Sequence, residues 1–202
     1  TVNDASPTSG IIKAYTLRRI QWELNWVIQH WPNTIDTNRI YMVGSSQGCG
    51  GAWLHAITNH HLFAAANVTD GKMNLNAPND DNPACNYNDT SSARKETRVL
   101  WGNEDNTNFY TDIPRIDTPS SFYRIYDVTN IGYMLGVLKN YSLPFMKVLN
   151  GKEDDNTCWE EKIGVYNSVN INASGGQFFW DLRGHGGGNN EWQPLNIPVL
   201  ER

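Results

Sequence analysis

One serine in this sequence lies in a pattern that suits a nucleophile. In VGSSQGCGGAW, residues 43–53, the pattern glycine-x-serine-x-glycine is met by Gly44, Ser46 and Gly48. A serine on a sharp turn between a strand and a helix exposes its hydroxyl, and the residues two positions away must be small to avoid a collision. Such a turn also directs amide N–H groups at the helix start toward an oxyanion. The pattern therefore predicts acyl transfer at Ser46, and a plain glycine-rich turn is the alternative.

A serine nucleophile needs a base, which for this kind of turn comes last in chain order, after the serine and the acid. Of the five histidines, only His185 lies far downstream, in RGHGGG after the last predicted strand. We therefore predict His185 as the base, with an ordinary surface histidine as the alternative. His55, His60 and His61 have a spacing that could suit a metal, but a solvated helix end explains them better.

The acid that orients the base should follow a strand. Asp154 follows the apolar run FMKVL in the segment NGKEDD, and one helix and one strand fit between it and His185. Asp154 is therefore the predicted acid, and its neighbour Asp155 is the residue most easily confused with it. Asp70, which follows an earlier strand, and Asp105, in WGNED, are alternatives. The whole acidic segment would also fit a solvated turn.

Alternating strands and helices are predicted around these residues. Apolar residues at spacings of three and four predict amphipathic helices, and short apolar runs that end at glycine or aspartate predict strands. The alternation predicts an α/β fold with a mostly parallel sheet flanked by helices. Strands are predicted at 39–43, 63–68, 97–101, 145–149 and 177–182, helices at 11–31, directly after the serine turn, at 127–141 and at 158–169, a loop at 72–92 and irregular chain at 102–126.

Composition limits the classes of protein that remain. The 202 residues suit one domain, and a formal net charge of −5 argues against a nucleic-acid partner. No run of eighteen apolar residues is present, so no membrane partner is expected. Three cysteines cannot all pair within one chain, and no CxxC spacing suggests zinc. One disulfide between Cys85 and Cys158 is the first candidate, and three free thiols, Cys49 included, are the alternative.

These segments resemble the α/β-hydrolase superfamily, and more narrowly the polyhydroxybutyrate depolymerase, feruloyl esterase and acetyl xylan esterase group. The resemblance is carried by IDTNRIYMVGSSQGCGGAW, NGKEDDNTCW and WDLRGHGG, and it spans about residues 10–190 except for a divergent region at 72–126. It implies an ester hydrolase with Ser46 as nucleophile, Asp154 as acid, His185 as base and the Gln47 N–H as one oxyanion donor. Such a triad requires neither a metal nor an organic cofactor, and the substrate would be a small-molecule or polymer-linked ester.

The sequence departs from this superfamily before the serine. The superfamily normally has several strands there, and a loop among them supplies the second oxyanion donor. The residues that precede Ser46 have room for one helix and one strand. We therefore expect residues 1–202 to form the C-terminal portion of a hydrolase domain, with a cap insertion at about 72–126. A second chain or segment would supply the N-terminal strands, and without it the exposed sheet edge would be unstable or prone to association.

Two other functions are compatible with the sequence. A serine peptidase of the prolyl oligopeptidase type has the same turn and the same triad order. A non-catalytic carbohydrate-binding module would use exposed tryptophans, but core packing is expected for Trp22, Trp53 and Trp180, which lie in predicted helices and a strand. Trp101 and Trp192 are the candidates near a site. The polar start of the chain is not a signal peptide, and an extracellular or periplasmic protein is expected after removal of a leader.

Overall fold

The computed structural model describes residues 8–75, 101–102, 108–172 and 175–186. The elements within these ranges alternate largely as predicted. In chain order they are β1 (Gly10–Ile12), α1 (Tyr15–His30), β2 (Tyr41–Ser45), α2 (Gln47–Thr58), a 3-10 turn (His60–Leu62), β3 (Ala65–Thr69), β4 (Phe109–Pro114), β5 (Phe122–Arg124), α3 (Ile125–Val128), α4 (Ile131–Val137), β6 (Phe145–Gly151), α5 (Glu160–Asn172) and β7 (Gly176–Asp181).

The larger sheet has four parallel strands in the order β2-β3-β6-β7. Every residue of β3 is buried, as expected for a central strand of a parallel sheet with covered faces. Helix α2 follows β2 and buries Trp53 and Ile57 in the core. The prediction of a mostly parallel sheet flanked by helices is therefore confirmed. Because the strands are parallel, the residues that follow them meet at one edge of the sheet.

A second, smaller sheet was not predicted. In it β1 pairs parallel with β4, and β4 pairs antiparallel with β5. The helical prediction for residues 11–14 and the irregular prediction for 108–126 are therefore wrong in part. The two isoleucines of β1 continue the apolar spacing of α1, but they pair with β4, and Asp112 of β4 accepts a hydrogen bond from the Ala14 N–H and pairs with Arg18 of α1.

Helix α1 and strand β2 present apolar surface. No residue of α1 is fully buried, and Trp22 is 64% exposed, so the prediction of core packing for Trp22 is wrong. Val43 of β2 is 58% exposed, and within the described ranges β2 has a strand neighbour on one side only. The other side of β2 has no strand among the described residues, and the sequence predicts further strands without saying where they pair.

Several predictions fall outside the described residues. They include most of the cap insertion, four residues of the strand at 97–101, and Cys85, Asp105 and Trp192. Trp101 is described and packs partly buried against the core. Within the described ranges, no helix combines the length and apolarity needed to cross a bilayer.

Candidate active site

Ser46 lies in the turn between β2 and α2 with an unusual backbone conformation. Its φ is 55° and its ψ is −122°, a region that residues with a side chain seldom occupy and that costs about 1–3 kcal/mol. The Ser46 N–H donates to the carbonyl of Thr69 at 2.9 Å, so the turn is tied to the end of the neighbouring strand. Ser46 therefore has the strand, strained turn and helix that a nucleophile of this type requires.

Gly44 leaves no space for a side chain. A Cβ at this position would lie 2.1 Å from the Gly48 carbonyl oxygen and 2.8 Å from the Ala52 Cβ. Both atoms belong to the first turns of α2. The glycine therefore allows the helix to start close against β2, which fixes the direction in which Ser46 points.

Replacing Gly44 by alanine is expected to lower the free energy of unfolding by about 1–3 kcal/mol, because the clash involves backbone that must shift. Turnover should fall as well, since the same shift displaces Ser46. Chemical denaturation measures the first effect. Gly51→Ala is the matched control: nothing lies within 4 Å of its added Cβ, and alanine within a helix should stabilise by about 0.5–1 kcal/mol. Equal stabilities for the two variants would contradict this account of the turn.

His185, which follows β7, lies between Ser46 and Asp154. Its Nε2 is 2.9 Å from the Ser46 Oγ, and its Nδ1 is 3.0 Å from each carboxylate oxygen of Asp154. When Nδ1–H donates to Asp154, Nε2 is left free to accept the proton of the Ser46 hydroxyl. The three side chains thus have the geometry of a nucleophile, a base and an orienting acid.

The Asp154 carboxylate is completely buried and surrounded by donors. Its Oδ1 accepts from the backbone N–H groups of Asn156 and Thr157, both at 2.9 Å. Its Oδ2 accepts from the Thr157 hydroxyl at 2.5 Å and from the Lys162 ammonium at 2.7 Å. Burial alone would raise the pKa of Asp154, but the hydrogen bonds from Lys162, Thr157 and His185 lower it to about 2. The carboxylate is therefore ionised at neutral pH.

The structure places the other candidate acids differently. Asp155 is exposed and accepts a hydrogen bond from the Asn156 side chain. Asp70 is buried, and its carboxylate accepts from the Gly151 N–H at 3.1 Å, which ties the end of β3 to the end of β6. Asp105 lies outside the described residues. Among the described candidates, Asp154 is the acid whose carboxylate accepts from His185 Nδ1–H.

Gln47 is the first residue of α2. The first N–H groups of a helix have no acceptor within the helix, and the positive end of the helix dipole lies there. The Gln47 N–H therefore lies next to Ser46 and suits the stabilisation of an oxyanion.

The remaining histidines do not all lie where the sequence predicts. His55 is completely buried and packs edge-on against Phe63, with ring centroids 5.2 Å apart. The prediction of a solvated helix end is therefore wrong for His55, and burial lowers its pKa. His60 is half-buried and His61 is exposed. Among the described residues, no group of three or more acidic, histidine or cysteine side chains could hold a metal ion.

The tryptophans differ in burial, and the cysteines differ in whether they form a disulfide. Trp53 is completely buried, as predicted, whereas Trp180 is 51% exposed, so core packing is wrong for Trp180. Cys49 is a free thiol whose pKa is raised, chiefly by burial. Cys158 is disulfide-bonded, and its predicted partner Cys85 lies outside the described residues.

Two residues whose side chains contact the carboxylate were missed by sequence reasoning. Thr157 donates to Asp154 through both its hydroxyl and its backbone N–H. Lys162 reaches the same carboxylate from α5. The signal for Thr157 was available, because an aspartate often accepts hydrogen bonds from backbone groups two or three residues ahead. Lys162 carried no such signal, since EEKIG resembles an exposed charged helix turn.

Solved structures with the same fold are known. An acylaminoacyl peptidase from Pyrococcus horikoshii matches with a TM-score of 0.54 at 16% identity, over 84% of this chain and 23% of its own. Thermogutta terrifontis esterase 2, in a structure phosphonylated by sarin, matches with a TM-score of 0.54 at 12% identity, over 84% of this chain and 56% of its own. A ferulic acid esterase matches with a TM-score of 0.52 at 15% identity, over 85% of this chain and 54% of its own. No protein-family model and no curated protein matches the sequence.

These three proteins are α/β-hydrolases, and the chain has the α/β-hydrolase fold. Its four parallel strands, with Ser46 after the first of them, correspond to part of that fold. The chain spans less than two thirds of the length of each of the three proteins.

Proposed function

We propose that this chain carries the catalytic centre of a serine hydrolase that cleaves carboxylic esters through an acyl-enzyme. The observation that carries the proposal is the continuous set of hydrogen bonds from Ser46 through His185 to Asp154, which begins at a strained serine. A scaffold that only binds carbohydrate has no need of such a set. The narrower resemblance to feruloyl esterases and polyhydroxybutyrate depolymerases points to esters, and a ferulic acid esterase is among the similar structures.

In the first half of the proposed reaction, the Ser46 Oγ attacks the ester carbonyl carbon while His185 Nε2 takes the hydroxyl proton. The ionised Asp154 holds the Nδ1–H and stabilises the imidazolium that forms. The Gln47 N–H donates to the oxyanion of the tetrahedral intermediate. The intermediate collapses to an acyl-serine, and His185 transfers the proton to the departing alcohol. Water then attacks the acyl-serine while His185 takes a proton from it, and His185 returns that proton to the departing Ser46 Oγ as the acid product is released.

A second oxyanion donor is part of the proposal. In enzymes with this turn, that N–H comes from a loop that precedes the nucleophile in the chain. We propose that a second chain or segment pairs with the free side of β2 and brings this loop to Ser46. The exposed Val43 and the exposed outer side of α1 support this placement, as does the longer chain of the three similar proteins.

An extracellular or periplasmic location is also proposed. The disulfide at Cys158 supports it, since disulfides persist in oxidising compartments and are rare in the cytosol.

A serine peptidase is the second candidate function, because an acylaminoacyl peptidase has a similar fold. A direct comparison of substrates separates the two. We expect kcat/KM for p-nitrophenyl acetate and methyl ferulate to exceed that for a proline p-nitroanilide peptide by more than about a hundredfold, or about 2.7 kcal/mol in transition-state binding. The Ser46→Ala variant of the same preparation is the control for background hydrolysis. A preference for the peptide would replace the esterase proposal by the peptidase.

A further inference from the structure

Helix α5 places the side chain of Lys162 in the protein interior. The side chain is 0% exposed, which is rare for lysine unless its charge is paired. Its Nζ donates to Asp154 Oδ2 at 2.7 Å and to the Gly151 carbonyl at 3.2 Å. The carboxylate that orients His185 therefore also has a cationic partner, and the Gly151 carbonyl at the strand end fixes that ammonium in place.

The neighbouring charges on the helix side form a separate pair. Glu161, also buried, accepts from the Lys72 ammonium at 3.0 Å through Oε1 and from the Cys158 N–H at 3.2 Å through Oε2. Lys72 therefore balances Glu161, and Lys162 is the ammonium group that contacts Asp154.

The charges on the strand side are also held by other groups. Asp70 accepts from the Gly151 N–H, and Arg183 pairs with Asp181. The thiol of Cys49 keeps its proton, because burial raises its pKa. Two acidic residues that flank Asp154 in its turn point into solvent: Glu153 and Asp155.

Lys162 and His185 share one carboxylate, and this has a consequence for proton transfer. A buried carboxylate without a counter-charge would attract a proton to the nearest base. An ammonium group 2.7 Å from Oδ2 cancels much of that attraction. The Lys162 charge therefore opposes the addition of a second positive charge at the imidazole, and only a neutral imidazole can accept the proton of Ser46.

We propose that Lys162 is a positioning residue that fixes the Asp154 carboxylate and extends to lower pH the range in which His185 acts as the base. This inference rests on the proposed function.

The test is the pH dependence of kcat/KM for an ester substrate, in the native protein and in Lys162→Met. The acidic limb of this profile reports protonation of the base in the free enzyme. Removing a nearby positive charge makes that protonation easier, so the acidic limb should move to higher pH by about one to two units. A folded Lys162→Met variant whose acidic limb stays in place, even with lower turnover, would show that Lys162 is only structural and overturn the inference.

Lys72→Met is the matched control. It removes a charge of the same sign from the adjacent pair, but one that contacts Glu161 and not Asp154. Its acidic limb should move less than that of Lys162→Met. A shift as large as that of Lys162→Met would assign the effect to the general field of the cluster and overturn the specific role of Lys162.

Loss of a buried counter-charge can prevent folding, so a charge-conserving variant provides a second test. In Lys162→Arg the cation remains, and the acidic limb should stay within about 0.3 pH units of the native position even if kcat falls through altered positioning. An acidic limb that moves by a full unit in Lys162→Arg would overturn the inference.

Failure of this inference is distinguishable from failure of the proposed function. A native protein that neither hydrolyses esters nor reacts with a fluorophosphonate would overturn the proposed function. A native protein that hydrolyses esters, with variants that leave the acidic limb in place, would overturn only the role of Lys162.

Discussion

Ser46→Ala is expected to lower ester turnover by at least about ten-thousand-fold, the scale on which loss of a nucleophile acts when the rest of the site is intact. Alanine keeps the Cβ that the turn already accommodates at a φ of 55°, so the fold should be retained. Only the Oγ that lies 2.9 Å from His185 is lost. Steady-state hydrolysis of a p-nitrophenyl ester measures the effect, and circular dichroism checks that the variant is folded.

Ser45→Ala is the matched control for this prediction. Ser45 is the last residue of β2 and is exposed, and an exposed substitution of this kind should change turnover by no more than about twofold. If Ser45→Ala abolished turnover and Ser46→Ala retained it, the nucleophile would be Ser45 and the proposed turn geometry would be wrong.

Asp154→Asn should be nearly as damaging, with an expected loss of about ten-thousand-fold in kcat. Both carboxylate oxygens accept hydrogen bonds from groups that can only donate, namely the backbone N–H of Thr157 and the ammonium of Lys162. An amide nitrogen at either position would face a donor. If it faced His185, the imidazole would have to accept at Nδ1 and carry its proton on Nε2, where it could not deprotonate Ser46.

The same substitution should also destabilise the fold, by about 3–5 kcal/mol, because Lys162 would remain buried without its counter-charge. Kinetics at saturating substrate on the folded fraction separate the chemical loss from the loss of folded protein. Asp155→Asn is the control: its side chain is exposed one residue away, and both stability and kcat should stay near the native values. Native kcat in Asp154→Asn would remove Asp154 from the mechanism.

Much of the fold could be predicted from the spacing of apolar residues along the sequence. The strands at 145–149 and 177–182 were predictable, because short apolar runs next to glycine or aspartate have few alternatives in a parallel sheet. The helix after the serine turn was predictable from its apolar residues. The small sheet was not predictable in the same way. Its strand β1 has three residues, and its apolar pair merges with the spacing of α1. Pairing with β4, which is distant in sequence, decides its conformation.

The candidate site was also predictable only in part. Ser46, Asp154 and His185 each follow a strand of one parallel sheet, so chain order alone brings their backbones to the same edge. The burial of Lys162 could not be predicted, because it follows two glutamates in its helix. His55 has apolar neighbours, Leu54 and Ala56, but a histidine side chain is found both buried and exposed, so its type gave no indication of burial. Their burial depends on which side of the helix faces the sheet. Trp22 and Trp180 show the opposite error, since large aromatic side chains there lie on the surface of the described residues.

Reaction with a fluorophosphonate, followed by intact mass spectrometry of the native protein, shows directly whether Ser46 is an activated nucleophile. We expect one adduct on this chain, retained in Ser45→Ala and absent in Ser46→Ala. Any second chain that supplies the second oxyanion donor should appear unlabelled in the same spectrum. A folded native protein that gains no adduct, or an adduct that persists in Ser46→Ala, would contradict the assignment of Ser46 as an activated nucleophile.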